Sequence, residues 1–599
     1  MTETGTATYP QSTRTLLLGI WGHLSRRRRI QLSLLLVVML ASGGAELVSL
    51  GAVLPFLAVL SDPQRLWQQP LVQDLASRLG FTASNQLLLP ATLTFAAAAV
   101  LAALIRLANL WLNGRLAAEV GSDLSCEAFQ RTLYQPYQKH LLSNSSTVIA
   151  GTITQITRSV AAFTALLQLI TAAVVAIGLL TGLLLIDWQV ALGAATLFAS
   201  VYGLLAVTAR RQFHMNSHRI AEAARHQIKT LQEVLGAIRD VLLDGNQAYY
   251  LQKYEQLDKP QRLLQAKNYY LASSPKFILE ALGMVAIALL SGLLVLQQGS
   301  GSSVIPLVGV LALGAQRLLP ALQQVYFNWS LLKGFNADLA GVLALLNQPL
   351  PPKVSVADPL PLREAIRLEG VCFRYGPDPH DVLQGLDLEI RRGERIGLIG
   401  STGSGKSTTV DVLMGLLAPT AGRVLVDGAD LHDPAHPEKL DAWRAAIAHV
   451  PQSIYLADSS IAENIAFGVA RQEIDMARVK QAAEQAQIAS FIEGSPEGYQ
   501  SFVGERGIRL SGGQRQRIGI ARALYKQARV LVLDEATSAL DSGTENAVMA
   551  AVEGLSNELT IVMIAHRLST VQHCDRLIHL AQGAVSADGP PGLVLASTT

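Results

Sequence analysis

Ile396-Gly397-Leu398-Ile399-Gly400-Ser401-Thr402-Gly403-Ser404-Gly405-Lys406-Ser407-Thr408 decides the reading of the C-terminal half. The apolar run Ile396–Gly400 reads as a short buried strand, and it passes through G-x-x-x-x-G-K-S into a helical pattern reaching about Leu417. Gly400, Gly403 and Gly405 let backbone N–H groups curl around phosphate oxygens at the start of a helix. Lys406 would reach the β- and γ-phosphates and Ser407 would ligate Mg²⁺. Ser401, Thr402, Ser404 and Thr408 complete this candidate nucleotide-binding stretch. A chance glycine-rich turn rarely matches all these positions in a strand–loop–helix context.

A second apolar run, Val530–Leu533, ends in Asp534-Glu535. Asp534 fits the residue that holds Mg²⁺, and Glu535 sits where a carboxylate orients or deprotonates the attacking water. Two acids closing a buried strand are hard to justify without a cation nearby.

Outward from these motifs the chain changes character. With 599 residues it exceeds a single core, and its 50% hydrophobic content is concentrated in the first half. A net charge of +2 gives no global field directed at nucleic acid. Cys126, Cys372 and Cys574 are odd in number and far apart, which excludes a disulfide framework and a zinc site built from cysteine pairs. Six segments, at about 30–60, 89–112, 160–185, 188–208, 276–297 and 303–332, reach the roughly 20 apolar residues that a membrane crossing needs. Arg26–Arg29 before the first run, with Ala41–Ala45 after it, mimic a signal peptide. The apolar character continues through Val53–Leu60, so the expectation is an uncleaved first span preceded by an interfacial helix near Leu16–Leu24.

The placement of Lys and Arg orients the bundle. Arg26–Arg29 put the N-terminus in the cytoplasm, and the basic segment 209–276 and the polar segment 113–159 are the expected cytoplasmic connections. Both are too long for turns, and Ile228, Leu231, Val234, Leu235, Ile238, Val241 and Leu242 keep a helical period. The spans are therefore expected to continue into the cytoplasm, with tips at Tyr134–Asn144 and Leu242–Tyr250. Within the spans, Glu46, Arg106 and Arg317 are candidate substrate contacts. An interhelical ion pair is the structural alternative, most readily for Glu46. Pro320 is expected to kink the last span. The prolines at 349, 351, 352, 359 and 361 mark a linker, and strand alternation begins at Ile366, Leu368, Val371 and Phe373. The expected organisation is a cytoplasmic N-terminus over 1–29, a membrane domain over 30–345, a linker over 346–365 and a nucleotide-binding domain over 366–599.

Leu510-Ser511-Gly512-Gly513-Gln514 matches the L-S-G-G-Q signature of ATP-binding-cassette (ABC) transporters. Val450-Pro451-Gln452 resembles the family's Q-loop, Ala539-Leu540-Asp541 its D-loop and Ile564-Ala565-His566-Arg567 its H-loop. Tyr375 stands at the A-loop position, and Val503-Gly504-Glu505-Arg506-Gly507 resembles the x-loop of exporters. The resemblance implies a multi-domain protein: an all-α membrane bundle of six helices, then an α/β P-loop ATPase with a helical subdomain, using ATP and Mg²⁺. It implies that Tyr375 stacks on adenine and that Ser511, Gly512, Gly513, Gln514 and Asp541 serve ATP bound across a dimer interface. It further implies that Gln452 links the metal to the membrane domain and that His566 contacts the γ-phosphate. No catalytic element is degenerate, so a homodimer with two competent sites is expected.

Fusion of one membrane domain to one ATPase is similar to type IV exporters such as lipid A and multidrug half-transporters. Leu133-Tyr134-Gln135-Pro136-Tyr137, His140 and Asn144-Ser145-Ser146 resemble the first cytoplasmic loop of bacterial lipid-linked oligosaccharide flippases of the PglK type. Gly519–Tyr525 and Arg317-Leu318-Leu319-Pro320 resemble the same branch. The implied activity is ATP-driven movement of a lipid or lipid-linked saccharide across the bacterial inner membrane, with both termini cytoplasmic and nucleic acid excluded as a partner. The alternatives are export of a small amphipathic compound or peptide, an ATP-gated channel, and a non-transporting ABC ATPase, which six spans disfavour. No peptidase-like segment precedes the first span, which argues against a peptide-processing exporter.

Overall fold

A computed structural model describes residues 12–61, 64, 67, 84–186, 188–298, 304–350, 358–376, 380–535, 542–554, 558–564 and 574–598. The chain divides into two compact units, Met1–Gln135 with Ser143–Leu350, and Pro136–Leu142 with Pro351–Thr599.

The first unit is helical among its described residues. It begins with α1 (Thr13–His23), α2 (Arg26–Ser61) and α3 (Leu88–Leu133). The short α4 (Tyr137–Leu142) groups with the second unit. Next come α5 (Ser145–Ile149), a π-helical stretch at Ala150–Gln155, α6 (Ile156–Ile186), α7 (Trp188–Gly236), α8 (Ile238–Leu243), α9 (Gln247–Gln298), α10 (Val304–Gly334) and α11 (Asn336–Leu346).

Ser12 caps α1 by accepting from the Thr15 N–H at 3.2 Å. The helix then buries Leu16 and Ile20 with Leu339, Val342 and Leu346 of α11. α6 lies close to α2 and α3 because glycine faces it on both: a Cβ on Gly43 would stand 2.6 Å from Val174 Cγ1, and one on Gly121 2.2 Å from Val160 Cγ2. Small residues at helix crossings are how apolar helices approach closely in a bilayer. Leu93, Leu101, Leu104 and Leu107 of α3 face outward, a surface stable against lipid rather than water.

The six segments read as spans fall on α2, α3, α6, α7, α9 and α10. Among the described residues, three stretches are long and apolar enough to cross a membrane: Arg26–Ser49, Leu88–Leu133 and Ser145–Leu184. A fourth results if Leu318–Gly334 and Asn336–Leu346, bent by 51°, form one span. That bend falls at Phe335, while α10 runs on through Pro320. The helices α3, α7 and α9 contain 46, 49 and 52 residues. At about 1.5 Å per residue each is more than twice the roughly 30 Å hydrocarbon thickness. The expected helical tips coincide with the break between α3 and α4 and with the turn between α8 and α9.

The second unit is α/β. A six-stranded sheet runs β10 (Ala584–Gly589), β9 (Arg576–Ala581), β3 (Arg395–Ile399), β8 (Thr560–Ile564), β7 (Val530–Asp534), β6 (Ile447–Val450), parallel except at the β10 edge. A smaller antiparallel sheet orders β2 (Leu383–Arg391), β1 (Ala365–Phe373), β4 (Ala421–Val426), β5 (Ala429–Asp430). The parallel strands are nearly continuous apolar runs, as strands covered on both faces must be.

The helix after the P-loop, α12 (Lys406–Leu413), is shorter than the expected extent to about Leu417. Gly415 takes the left-handed φ of +68°, the Leu416 N–H turns back to the Asp411 carbonyl at 2.9 Å, and the helix stops. A buried α13 residue, Trp443 of Glu438–Ala446, donates Nε1–H to the Leu413 carbonyl at 2.8 Å and seals that end. α14 (Ile461–Ile465), α15 (Met476–Gln485), α16 (Ala489–Glu493) and α17 (Gly512–Tyr525) share a second core with the sheet. α18 (Ser542–Glu553) and α19 (Pro591–Thr598) complete the unit.

Candidate active site

The sheet register assembles the site. Ile564 of β8 pairs with Leu398 of β3 on one side and with Asp534 of β7 on the other. Gly400 and Glu535 therefore leave the sheet at the same edge, two strand spacings or about 10 Å apart. This is the crevice beyond the carboxyl ends of parallel strands where such folds bind ligands.

The phosphate loop needs its glycines. Gly400, Gly403 and Gly405 have φ of +145°, +84° and +102°. A Cβ on Gly400 would stand 2.3 Å from the Leu580 carbonyl oxygen, whereas one on Gly403 would meet nothing within 4 Å. Ser401, Thr402 and Ser407 are exposed, while Ser404, Gly405, Lys406 and Thr408 are buried. Lys406 Nζ donates to the carbonyls of Gly400 at 2.8 Å and Ser401 at 2.9 Å, so the ammonium spans the mouth of the loop. Burial lowers its pKa, while the charges of Glu535 and Asp534 act to raise it. The Ser404 hydroxyl is buried without a hydrogen-bond partner, an open demand that a phosphate oxygen would meet. Together with the crowding at Gly400, this orphaned hydroxyl marks the loop as a fit for a nucleotide phosphate chain.

Glu535 sits at a φ of +48°, left-handed backbone that is strained for a glutamate and characteristic of functional positions. Gln452 Nε2 donates to Glu535 Oε2 at 2.7 Å, bringing the Q-loop position to the carboxylate. Asp411 lies near Asp534, and burial first, then that neighbouring charge, push its carboxyl up to about 6. Tyr375 packs edge-on against Phe373, with ring centroids 4.9 Å apart, and its hydroxyl lies 3.2 Å from Thr408 Oγ1.

Two participants were not singled out from the sequence as site residues. Asp411 lies in the interior of α12 and carries no motif. Tyr137 of α4 has its hydroxyl pKa raised by burial first, then by the charges of Asp411 and Tyr375, which sets α4 beside Asp411 within the second unit. Neither proximity has a signal in local spacing.

The signature segment opens α17. The Ser511 hydroxyl accepts from the Gln514 N–H at 3.2 Å, and the Ser511 N–H donates to Gln514 Oε1 at 2.8 Å. This capping box leaves Gly512 and Gly513 in the first turn of a 14-residue helix whose N-terminus favours anions. Asp541 and His566, with Ala539, Leu540, Ala565 and Arg567, lie outside the described residues.

In the helical unit, Glu46 and Arg106 come together: Arg106 Nη1 stands 2.7 Å from Glu46 Oε2, joining α3 to α2. Glu46 is buried and Arg106 is half-exposed, so the interhelical pair weighed from the sequence is the arrangement present. The Arg317 side chain lies outside the described residues.

Comparisons with known proteins agree with this geometry. The ABC transporter family model matches residues 383–538. An ATP-dependent lipid A-core flippase of Chromohalobacter salexigens is 34% identical over 499 residues, covering 80% of this chain and 82% of that protein. The flippase of Ralstonia nicotianae is 30% identical over 470 residues, covering 78% of each. A solved bacterial Atm1-family ABC exporter with ATP bound superposes with a TM-score of 0.76 at 25% identity, covering 96% of both chains. The chain belongs to the ABC transporter family, as an exporter-type half-transporter carrying a helical membrane domain and an ABC ATPase domain on one polypeptide.

Proposed function

We propose that this chain is an ATP-hydrolysing exporter that moves a lipid, or a lipid-linked oligosaccharide or polysaccharide precursor, across the bacterial inner membrane by alternating access. Two copies would form the working unit, with six spans each and all termini in the cytoplasm. The observation that carries the reading is the Gln452–Glu535 bond at 2.7 Å at the mouth of the phosphate loop, on a chain whose lipid flippase relatives cover its helical half as well.

The site residues have separable tasks. The backbone of Gly400–Gly405 and Lys406 would hold the phosphate chain, and Tyr375 the adenine. Ser407, Gln452 and Asp534 would hold Mg²⁺, which when bound neutralises charge on the phosphates. Glu535 would accept the proton of the attacking water. Ser511 and Gly513 at the start of α17 would meet the nucleotide of the other copy, and His566 and Asp541 would act at the same interface. The reach of Gln452 to Glu535 would couple nucleotide state to the helical unit.

Reconstitution in liposomes tests the reading. ATPase activity should rise with a lipid-linked saccharide more than with free phospholipid or an amphipathic drug. Stimulation by the drug alone would favour the alternative, a multidrug or small-amphiphile exporter.

A further inference from the structure

The helical unit holds two chambers that the ATP chemistry does not use. The first, about 460 Å³, lies between α6, α7 and α10 and is almost wholly apolar, lined by Ile177, Phe198, Tyr202, Gly203, Tyr326 and Trp329 among others. The second, about 340 Å³, lies further along α7 and α10, where Arg158, Gln265, Asn268, Ser330 and Asp338 line it. Phe213 of the second and Trp329 of the first pack edge to face with centroids 6.4 Å apart, so two packed rings stand between the chambers. Tyr326 continues the aromatic wall, 5.8 Å from Trp329 and 5.3 Å from Tyr202.

Polar groups in these walls are unspent. Arg158 Nη1 and Asp338 Oδ1 are 3.6 Å apart, an ion pair too long for a hydrogen bond. Both atoms are buried without a hydrogen-bond partner, and Asp338 is only 2% exposed. The Tyr202 hydroxyl is buried and unpartnered too. Such groups call for a ligand or ordered water. At roughly 30 Å³ per water the polar chamber would take about eleven, but water gains little from the aromatic chamber beside it.

We propose that the two chambers form one binding site for a single-chain amphiphile with a neutral, hydroxyl-rich head, such as a sugar or polyol. Its chain fills the aromatic chamber, and its hydroxyls bridge Arg158 and Asp338. The pair decides the head chemistry. A hydroxyl accepts from Arg158 and donates to Asp338, whereas a phosphate would be repelled by the Asp338 carboxylate and an ammonium by the Arg158 guanidinium. The proposal rests on the amphiphile-export reading for what the site is used for, but not for its existence, and a cargo joined to its lipid through phosphate is not the ligand this pair selects.

The test uses full-length protein in nanodiscs and dodecyl maltoside brominated at mid-chain. Quenching of Trp329 is isolated as the difference between the wild type and Trp329→Phe. The expected result is saturable quenching, with dodecyl maltoside preferred over equally brominated dodecyl phosphate. Gly203 lines the apolar chamber and a Cβ there meets nothing within 4 Å, so Gly203→Phe should fill the chamber and abolish saturation without unfolding the chain. Ala206→Leu supplies a second filling variant if that one misfolds. Asp338→Asn should weaken dodecyl maltoside by about tenfold and reverse the preference toward the phosphate. Non-saturable quenching that Gly203→Phe leaves unchanged would mean ordinary bilayer partition and overturn the site. Preference for the phosphate in the wild type would overturn it too, as would a loss of dimer in Gly203→Phe without quenching in the wild type, because a second copy would then cover the groove. Saturable binding without stimulation of ATPase by any lipid-linked saccharide would sustain the site and remove the cargo reading. Stimulation without saturable binding would do the reverse.

Discussion

Glu535→Gln separates holding ATP from cleaving it. The substitution keeps side-chain length and removes one charge and the proton-accepting oxygen. Gln452 Nε2 donates to Glu535 Oε2 at 2.7 Å, and the new amide can present its own oxygen to that donor, so the loop contact survives. The left-handed backbone, φ +48°, is as strained for glutamine as for glutamate, so stability should hardly change. Lys406 loses one neighbouring charge but retains Asp534 and its bonds to the Gly400 and Ser401 carbonyls. ATP binding should therefore persist. Removing a general base typically lowers turnover about 10²–10⁴-fold, a barrier increase of about 3–5 kcal/mol. Phosphate release at saturating ATP in nanodiscs, paired with equilibrium binding of a fluorescent ATP analogue, reads both quantities. Turnover within about threefold of the wild type, with ATP bound, would refute the assignment of Glu535. Lost binding would instead place Glu535 in the phosphate cradle.

Other perturbations address separate parts. Gly400→Ala should lower the melting temperature more than Gly403→Ala, because only the first methyl meets the Leu580 carbonyl; the second carries only the roughly 1–2 kcal/mol of left-handed strain. Asp411, raised to about 6 in the folded state, favours folding while protonated. That contribution is complete below the unfolded pKa of about 3.9 and is lost as pH rises through about 6. Asp411→Asn should therefore flatten the fall in stability across this window by about 1–2 kcal/mol, allowing for solvent screening of the partly exposed carboxyl; denaturation at several pH values checks this. Glu46→Gln should destabilise the helical unit by about 2–3 kcal/mol, less than a fully buried pair would lose because Arg106 is half-exposed, and the swap Glu46→Arg with Arg106→Glu should restore the melting temperature. Restored stability without restored lipid stimulation would give the pair a substrate role as well.

What could be read from the sequence is what local chemistry determines. The phosphate loop depends on glycines within a few residues of one another, and a strand ending in Asp534-Glu535 announces its cation by the cost of burying two acids. The long helices of the first unit follow from a period that continues past the apolar segments, as in Ile228–Leu242. The stop of α12 falls four residues before the expected one because the residues after Leu413 look helical, while the Trp443 bond that seals the turn at Gly415 comes from a distant segment. The pairing of Glu46 with Arg106, the approach of Tyr137 to Asp411 and the strained backbone at Glu535 likewise arise from packing between distant segments. Six apolar segments are legible in the sequence, whereas among the described residues three stretches, or four with the bent pair, are long and apolar enough to cross a membrane.

Hydrolysis at this site is proposed to drive an amphiphile across a membrane. Its most direct test is ATP-dependent loss of a fluorescent lipid-linked saccharide from the accessible leaflet of proteoliposomes, compared between the wild type and Glu535→Gln. Movement should require ATP and disappear in the variant. Equal movement in both proteins, or movement without ATP, would contradict it.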